Sequence, residues 1–206
     1  MSKATQTDAM GSIQRGIKRT LDFVMSALGL ILLSPIFIII SVLMKFQGNG
    51  PIFFRQIRIG YKGKPFVILK FRTISKKTEK KTPQLIAKTS CKSSTPFEKF
   101  LREHHLDELP QLWNVLVGDM SLVGPRPERK YFIDKIMEHT DLYTVIYNMR
   151  PGLTSEATLY NGYTDTMEKM LKRLQMDISY FERRSLWLDF KIIIKTFVNI
   201  ISGNKF

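Results

Sequence analysis

The sequence predicts an α+β chain that is mostly helical. It pairs a re-entrant membrane helix with a domain carrying one small β-hairpin and interfacial amphipathic helices. Three observations carry that expectation. Residues 23–44, FVMSALGLILLSPIFIIISVLM, contain no charge. That stretch is basic on both flanks, with Arg15, Lys18 and Arg19 before it and Lys45, Arg55, Arg58, Lys62 and Lys64 after it. Beyond it the apolar residues recur with helical spacing, except in residues 51–73, where they alternate.

Composition sets the class. The 206 residues suffice for one sizeable core, and 44% hydrophobic content is that of an ordinary folded chain. Charge departs from the ordinary: 32 Lys+Arg against 18 Asp+Glu leave +14, which calls for a polyanionic partner, whether nucleic acid, anionic lipid head groups or phosphorylated substrates. One cysteine, Cys91, excludes an internal disulfide framework. Residues 1–12 are polar without periodicity, so residues 1–16 are expected as a flexible tail, 17–46 as the membrane element and 47–206 as the remaining domain.

About 20 apolar residues cover the hydrocarbon core of a bilayer, so residues 23–44 are long enough for a membrane helix. A secretory signal would be shorter and end at a small-residue cleavage site. Ser34 and Pro35 break the run near its middle, because proline cannot donate the helical hydrogen bond. Lys and Arg gather on the cytoplasmic side, and here they gather at both ends. A bent helix entering and leaving on one face satisfies both observations; a kinked spanning helix is the alternative.

Residues 51–73 read as a hairpin, with Ile57 and Ile59 alternating with Gln56 and Arg58 and with Gly60 and Gly63 around the connection. Pairing gathers Arg58, Lys70 and Arg72 on one face, either to bind phosphate or as a charged edge that blocks strand addition. Residues 74–96 are Lys-rich and polar, a loop able to touch anionic lipid. Helices are expected over 96–105, from Asp107 to Gly118 with Pro110 in the first turn, over 127–139 and over 164–181. The loops DMSLVGPRP and MRPGLTS separate them. In the last segment Leu186, Phe190, Ile193, Ile194, Phe197, Ile200 and Ile201 fall on one helical face, for a membrane interface or for packing on the domain.

There is no Gly-rich phosphate loop, zinc-spaced Cys/His set or nucleophile elbow. His104 and His105 point about 100° apart on a helix and make poor partners for one metal. Asp107 and Glu108 admit a plain reading, an N-cap followed by a dipole-compensating glutamate. Their setting admits another. Arg102 precedes them, and Arg126 and Arg150 follow in GPRP and RPG loops. Two carboxylates can hold Mg²⁺ while guanidinium forks take the phosphate oxygens of a diphosphate.

The strings KRTLDFVMSALGLILLSP, GPIFFRQIRIG, KFRT, LREHHLDELPQLWNVLVGDMSLVGPRP and RPGLT resemble, in that order, the bacterial sugar transferase family of small monotopic phosphoglycosyl transferases. The resemblance covers about residues 17–155. It implies a helix broken at Ser34 and Pro35 and a helical catalytic domain on the cytoplasmic face of the bacterial inner membrane. It also implies a Mg²⁺-dependent transfer of sugar-1-phosphate from a UDP-sugar to undecaprenyl phosphate, releasing UMP and starting glycan assembly. By the same resemblance Asp107 is the nucleophile, Glu108 its partner at the metal, and Arg102 and Arg126 are phosphate ligands; Arg150, Arg58, Lys70 and Arg72 join that set as basic neighbours. Membrane lipids are further partners, a homodimer is compatible, and nucleic acid is not expected. The sequence departs from the family after Thr154, where LTSEATLYNGY replaces ITGWAQVNGR, and Ile74 stands in place of the usual methionine after KFRT. Lacking the multi-span amino-terminal region of other members, the chain would be the minimal form. A non-catalytic membrane-anchored adaptor or nucleic-acid tether is the rival reading; it fits the charge and the anchor but gives no reason for loop arginines around an Asp-Glu pair.

Overall fold

The uncharged stretch forms two helices, α1 (Ser12–Leu32) and α2 (Ser34–Phe46), which meet at a bend of 58°. The cause is local. Pro35 has no N–H for the Ile31 carbonyl, and the Ser34 hydroxyl donates to that carbonyl instead, at 2.7 Å. In this computed structural model residues 6–47, 50–73, 95–161, 164 and 166–202 are described. Among them no single helix is long and apolar enough to cross a membrane, but the bent pair passes that test together. Cys91 and nearly all of the Lys-rich loop lie outside the described residues.

Helix α1 is held to the rest of the chain by its polar side chains. Arg19 donates to the Val115 and Leu116 carbonyls at 2.7 and 2.8 Å, and Asp22 accepts from the Leu122 N–H at 3.0 Å. Lys18 pairs with Asp189 at 2.6 Å. The expected flexible tail is corrected here. Residues are helical from Ser12, Met10 is buried, and Asp8 takes two hydrogen bonds from Arg184 at 2.7 and 2.6 Å. A buried guanidinium needs such a bidentate partner, so the first described residues are folded onto the domain.

Strands β1 (Phe53–Ile59) and β2 (Pro65–Phe71) form the expected antiparallel hairpin, with Arg58 opposite Phe66 and Phe54 opposite Lys70. A 3₁₀ turn, Tyr61–Gly63, connects them, with Lys62 and Gly63 at φ 57° and 70°. Directly opposed residues share a face, so Arg58 and Lys70 lie together. That face turns inward with Ile68, whereas Phe53, Ile57 and Val67 are exposed. Arg58 and Lys70 thus share the inward face with Ile68, while Arg55 is exposed with Phe53 and Ile57.

Helix α3 (Pro96–Glu103) starts at a capping box made by Thr95 and Glu98. Its Leu101 packs with Ile40 and Met44 of α2 and Phe71 of β2, so the bent helix pair shares a core with the rest of the chain. Then follow α4 (Gln111–Val117), β3 (Ser121–Val123), α5 (Lys130–Met137), α6 (Tyr143–Ile146), β4 (Gly152–Thr154), α7 (Glu156–Asn161), α8 (Met167–Arg183) and α9 (Leu186–Ile201). The main core joins α5, α6, α8 and α9 through Phe132, Ile133, Ile146, Leu174, Phe181 and Ile192. Helix α9 buries Ile192 and Asp189 but leaves Trp187, Phe190, Ile194, Phe197 and Val198 exposed, so it packs on the domain and presents an apolar face as well.

The two segments expected as loops pair as short parallel strands, β3 with β4. Gly152 N–H donates to the Pro125 carbonyl at 2.8 Å and Gly124 N–H to the Thr154 carbonyl at 3.0 Å. A Cβ on Gly152 would stand 2.2 Å from the Gly124 nitrogen, and one on Gly124 would stand 2.3 Å from the Arg150 carbonyl oxygen. The glycines of GPRP and RPG therefore exist for backbone approach. Gly152→Ala is expected to destabilise the protein by about 3 kcal/mol or more, since backbone atoms must separate to admit the methyl group. Thermal unfolding of the detergent-solubilised protein checks this; an unchanged midpoint would contradict the packing described.

Candidate active site

The expected helix from Asp107 to Gly118 is divided. Leu106–Glu108 forms a 3₁₀ turn, entered through His105 at φ 54°, and α4 begins only after Pro110. Asp107 is therefore no N-cap; Pro110 occupies that position. Proline lacks the N–H that would continue the ladder, and a left-handed residue just before the turn redirects the chain. The result places Asp107 and Glu108 on a short rigid turn against β2.

Helix α4 is tied to the hairpin by Asn114, a residue the sequence analysis passed over. Its side chain donates to the Val67 carbonyl at 2.8 Å and accepts from the Leu69 N–H at 3.0 Å. A buried asparagine inside a short helix was the available signal, because such an amide must find polar partners elsewhere. Those bonds fix β2 so that Lys70 reaches Glu108 at 2.5 Å. Arg126, carried by the loop after β3, reaches the same Glu108 oxygen at 3.2 Å. One carboxylate thus joins the hairpin, the turn and the GPRP loop.

The remaining basic residues are distributed around this point. Arg58 donates to the Pro127 carbonyl at 3.0 Å and faces Glu128 at 3.6 Å, fixing the segment that carries Arg126. Ile59 N–H reinforces it by bonding the Glu128 carbonyl at 3.1 Å. Arg102 donates to the Thr73 carbonyl at 2.7 Å. Arg150 donates to the Gly118 carbonyl at 3.0 Å and lies over the Tyr61 ring, and the Arg72 guanidinium packs against Gly50. Of the cations expected at the Asp-Glu pair, Lys70 and Arg126 bond it directly.

The two adjacent carboxyls are pushed apart electrostatically. Burial raises Asp107 to about 6, with the Glu108 charge adding to the effect and Lys70 and Arg126 opposing it. Burial also acts upward on Glu108, but Lys70 and Arg126 outweigh it and hold Glu108 well below the carboxylate range. His105 is lowered, by burial first and then by the neighbouring cations, against the pull of Glu108. Among the described residues no group of three His, Cys, Asp or Glu side chains could hold a metal ion by itself. Mg²⁺ commonly binds through one or two carboxylates together with substrate phosphates, and Asp107 with Glu108 fits that smaller demand. Two further charged residues that sequence reasoning missed, Glu128 and Arg173, pair at 3.1 Å beside Arg126.

Because Asp107 binds its proton more tightly in the folded chain than in the unfolded one, its contribution is stabilising below about pH 4 and is lost as pH rises through about 6. Asp107→Asn is therefore expected to be more stable than the parent above pH 7, by on the order of 1 kcal/mol, with the advantage vanishing near pH 4. Melting curves of the two proteins across that range test the sign.

Comparison with known sequences points one way. The family described as "Bacterial sugar transferase" matches residues 13–203. A "UDP-glucose:undecaprenyl-phosphate glucose-1-phosphate transferase" of Klebsiella pneumoniae is 40% identical over 189 residues, 91% of this chain and 40% of that protein. An Aeromonas hydrophila "UDP-N-acetylgalactosamine-undecaprenyl-phosphate N-acetylgalactosaminephosphotransferase" is 35% identical over 187 residues, 91% of this chain and 44% of that protein. The chain thus spans less than half the length of these two. An "Exopolysaccharide production protein" of Rhizobium meliloti is 32% identical over 206 residues, 93% of this chain and 88% of that protein.

Proposed function

Since the chain belongs to the bacterial sugar transferase family, we propose that it moves a sugar-1-phosphate from a UDP-sugar to undecaprenyl phosphate, with Asp107 as the nucleophile, and so begins glycan assembly. The observation that carries this reading is the buried Asp107 next to a Glu108 clamped between Lys70 and Arg126. A lone buried carboxylate would resist ionisation; the flanking cations favour the charged form and are placed to share their hydrogen bonds with an arriving diphosphate.

In the first step an Asp107 oxygen attacks the phosphorus next to the sugar, the bond to the bridging oxygen breaks, and UMP leaves with that electron pair. In the second, a phosphate oxygen of undecaprenyl phosphate attacks the phosphorus of the phosphosugar-aspartate. The Asp107–phosphorus bond breaks, giving undecaprenyl-diphospho-sugar and free Asp107. Lys70 and Arg126 share their donors between Glu108 and the phosphate oxygens, and Arg102 supports the same charge. Arg58 and Arg150, committed to backbone carbonyls, keep the two loops in place. Asp107 and Glu108 would hold Mg²⁺, which when bound supplies positive charge to the diphosphate.

The acceptor is a membrane lipid, and the apolar surface supports access to it. The outer faces of α1 and α2 expose Leu28, Ile31, Ile38 and Ile39, and α9 exposes Trp187, Phe190 and Phe197. A bent pair with both ends on the cytoplasmic face brings these surfaces to one membrane boundary. Single cysteines at Ser12 and Gln47, in a Cys91→Ser background, are expected to be shielded together from an impermeant thiol reagent added outside and labelled together after permeabilisation. Labelling of one site alone would favour a span.

The chemical step has its own test. UDP-sugar without acceptor is expected to release UMP in a stoichiometric burst and to raise the intact mass by one sugar phosphate mapped to Asp107. Asp107→Asn should fold yet lose both the burst and turnover. Turnover that requires both substrates together, with no adduct, would instead indicate direct transfer.

A further inference from the structure

The exposed face of α9 has an internal order. At about 100° per residue, Trp187 and Ile194 lie along its middle, Phe190 and Phe197 along one side, and Lys191 and Lys195 along the other. Trp187 is 62% exposed, and its ring stacks on Phe190 with centroids 5.5 Å apart. The Lys191 ammonium stands 5.3 Å from the centre of the Trp187 ring, and Lys195 donates to the Tyr160 hydroxyl at 2.7 Å. Both lysines are exposed, and neither makes an ion pair among the described residues. Lys18, Lys70 and Arg126, by contrast, are each held by a carboxylate.

Helix α1 sets the height of this face. On the opposite side of α9, Asp189 is buried, pairs with Lys18 at 2.6 Å and accepts the Tyr180 hydroxyl. Lys18 precedes the uncharged run that begins at Phe23. In the membrane seating proposed above, α1 enters the hydrocarbon beyond Lys18, so the start of α9 stands at head-group level. Tryptophan and lysine suit that level. The indole sits at the boundary, and the lysine stem lies on apolar surface while its ammonium reaches the phosphates.

The charges also decide between a bilayer and a second copy of the chain. The only acid in α9 is Asp189, which is already buried and paired, so two such faces would bring lysine to lysine. A phosphate surface supplies the missing counter-charge.

We infer that Lys191 and Lys195 bind the head groups of anionic phospholipids, so that α9 selects these lipids from the bilayer surface on which it lies. The inference rests on the membrane seating of the proposed function and adds a lipid partner distinct from the acceptor. A lysine near an anionic surface contributes about a fivefold preference, which salt weakens.

The test uses the full chain carrying Trp113→Phe, which leaves Trp187 as the sole tryptophan. It is placed in nanodiscs of phosphatidylcholine with a minority of phosphatidylglycerol, one of the two brominated on its acyl chains to quench indole fluorescence on contact. Brominated phosphatidylglycerol is expected to quench Trp187 several-fold more than its share of the lipid dictates. Lys191→Gln with Lys195→Gln should bring quenching down to that share without moving the melting temperature, and arginine at both positions should restore the excess. Quenching in proportion to composition in the parent means that α9 meets lipid without choosing it. An excess that survives in the double glutamine variant means that other cations choose the lipid. No quenching by either lipid means that α9 faces water or a protein. Each of these three results overturns the inference. UMP release from a UDP-sugar is measured on the same nanodiscs. A chain that selects the lipid but releases no UMP loses the proposed reaction and keeps the inference; the reverse combination keeps the reaction alone.

Discussion

A buried carboxylate must be paired, and in this chain Glu108 is paired from two directions. Lys70 comes from the hairpin and Arg126 from the loop after β3, both to the same oxygen. Removing one partner of a buried pair typically costs about 3–5 kcal/mol, because the other charge is left without compensation. The three segments are accordingly locked to one another through a single group. Each has its own brace: Asn114 for β2, Arg58 and the Ile59 N–H for the segment after Arg126, and the Pro110 break for the turn itself. A site built this way is positioned before any ligand arrives, which is what charge stabilisation in a transition state requires.

The bent helix pair obeys a similar economy. Buried Asp22 and Ser26, with Arg19, mark the inward side of α1, while Leu28 and Ile31 lie outward. Polar groups facing the protein and apolar groups facing away reverse the arrangement of a helix on a water-soluble domain. The hairpin shows the same reversal, with Arg58 and Lys70 inward and Ile57 and Val67 outward. In both elements some of the cations, Lys18 and Arg19 in α1 and Arg58 and Lys70 in the hairpin, bond groups of the interior. Part of the complement of 32 Lys and Arg is thus engaged in internal bonds, to the Val115 and Leu116 carbonyls, to Asp189, to Asp8 and to Glu108.

Much of this was readable from residues. The break at Ser34 and Pro35 follows from one missing N–H, and the hairpin follows from alternation, a two-residue period that no helix shares. The Asp-Glu pair and Arg126 stand out by their setting. What escaped was long-range. The strands β3 and β4 are three residues each, too short for periodicity, and exist because two glycines let distant backbones touch. Asp107 as an N-cap was a sound local inference, but the Lys70 and Arg126 contacts hold a 3₁₀ turn there. Folding of Asp8 onto Arg184 spans 176 residues and has no local signature.

Two neighbouring carboxyls, alike in reference behaviour to within one unit, take opposite directions because burial and cations act on them unequally. Burial acts upward on both; Glu108 receives the direct contacts of Lys70 and Arg126 and stays ionised, whereas Asp107 lacks them and is raised. That division suits unlike tasks. The low-lying carboxylate anchors cations, and the raised one retains basicity, which for an oxygen nucleophile accompanies reactivity toward phosphorus. A diphosphate sharing the donors of Lys70 and Arg126 would meet their charge already in place, with Asp107 the neighbouring anion that neither of them bonds directly. With its pKa raised only to about 6, Asp107 remains largely ionised near neutral pH, so in the proposed reaction it would attack without a general base, and the diphosphate would bring the cations that neutralise the developing charge.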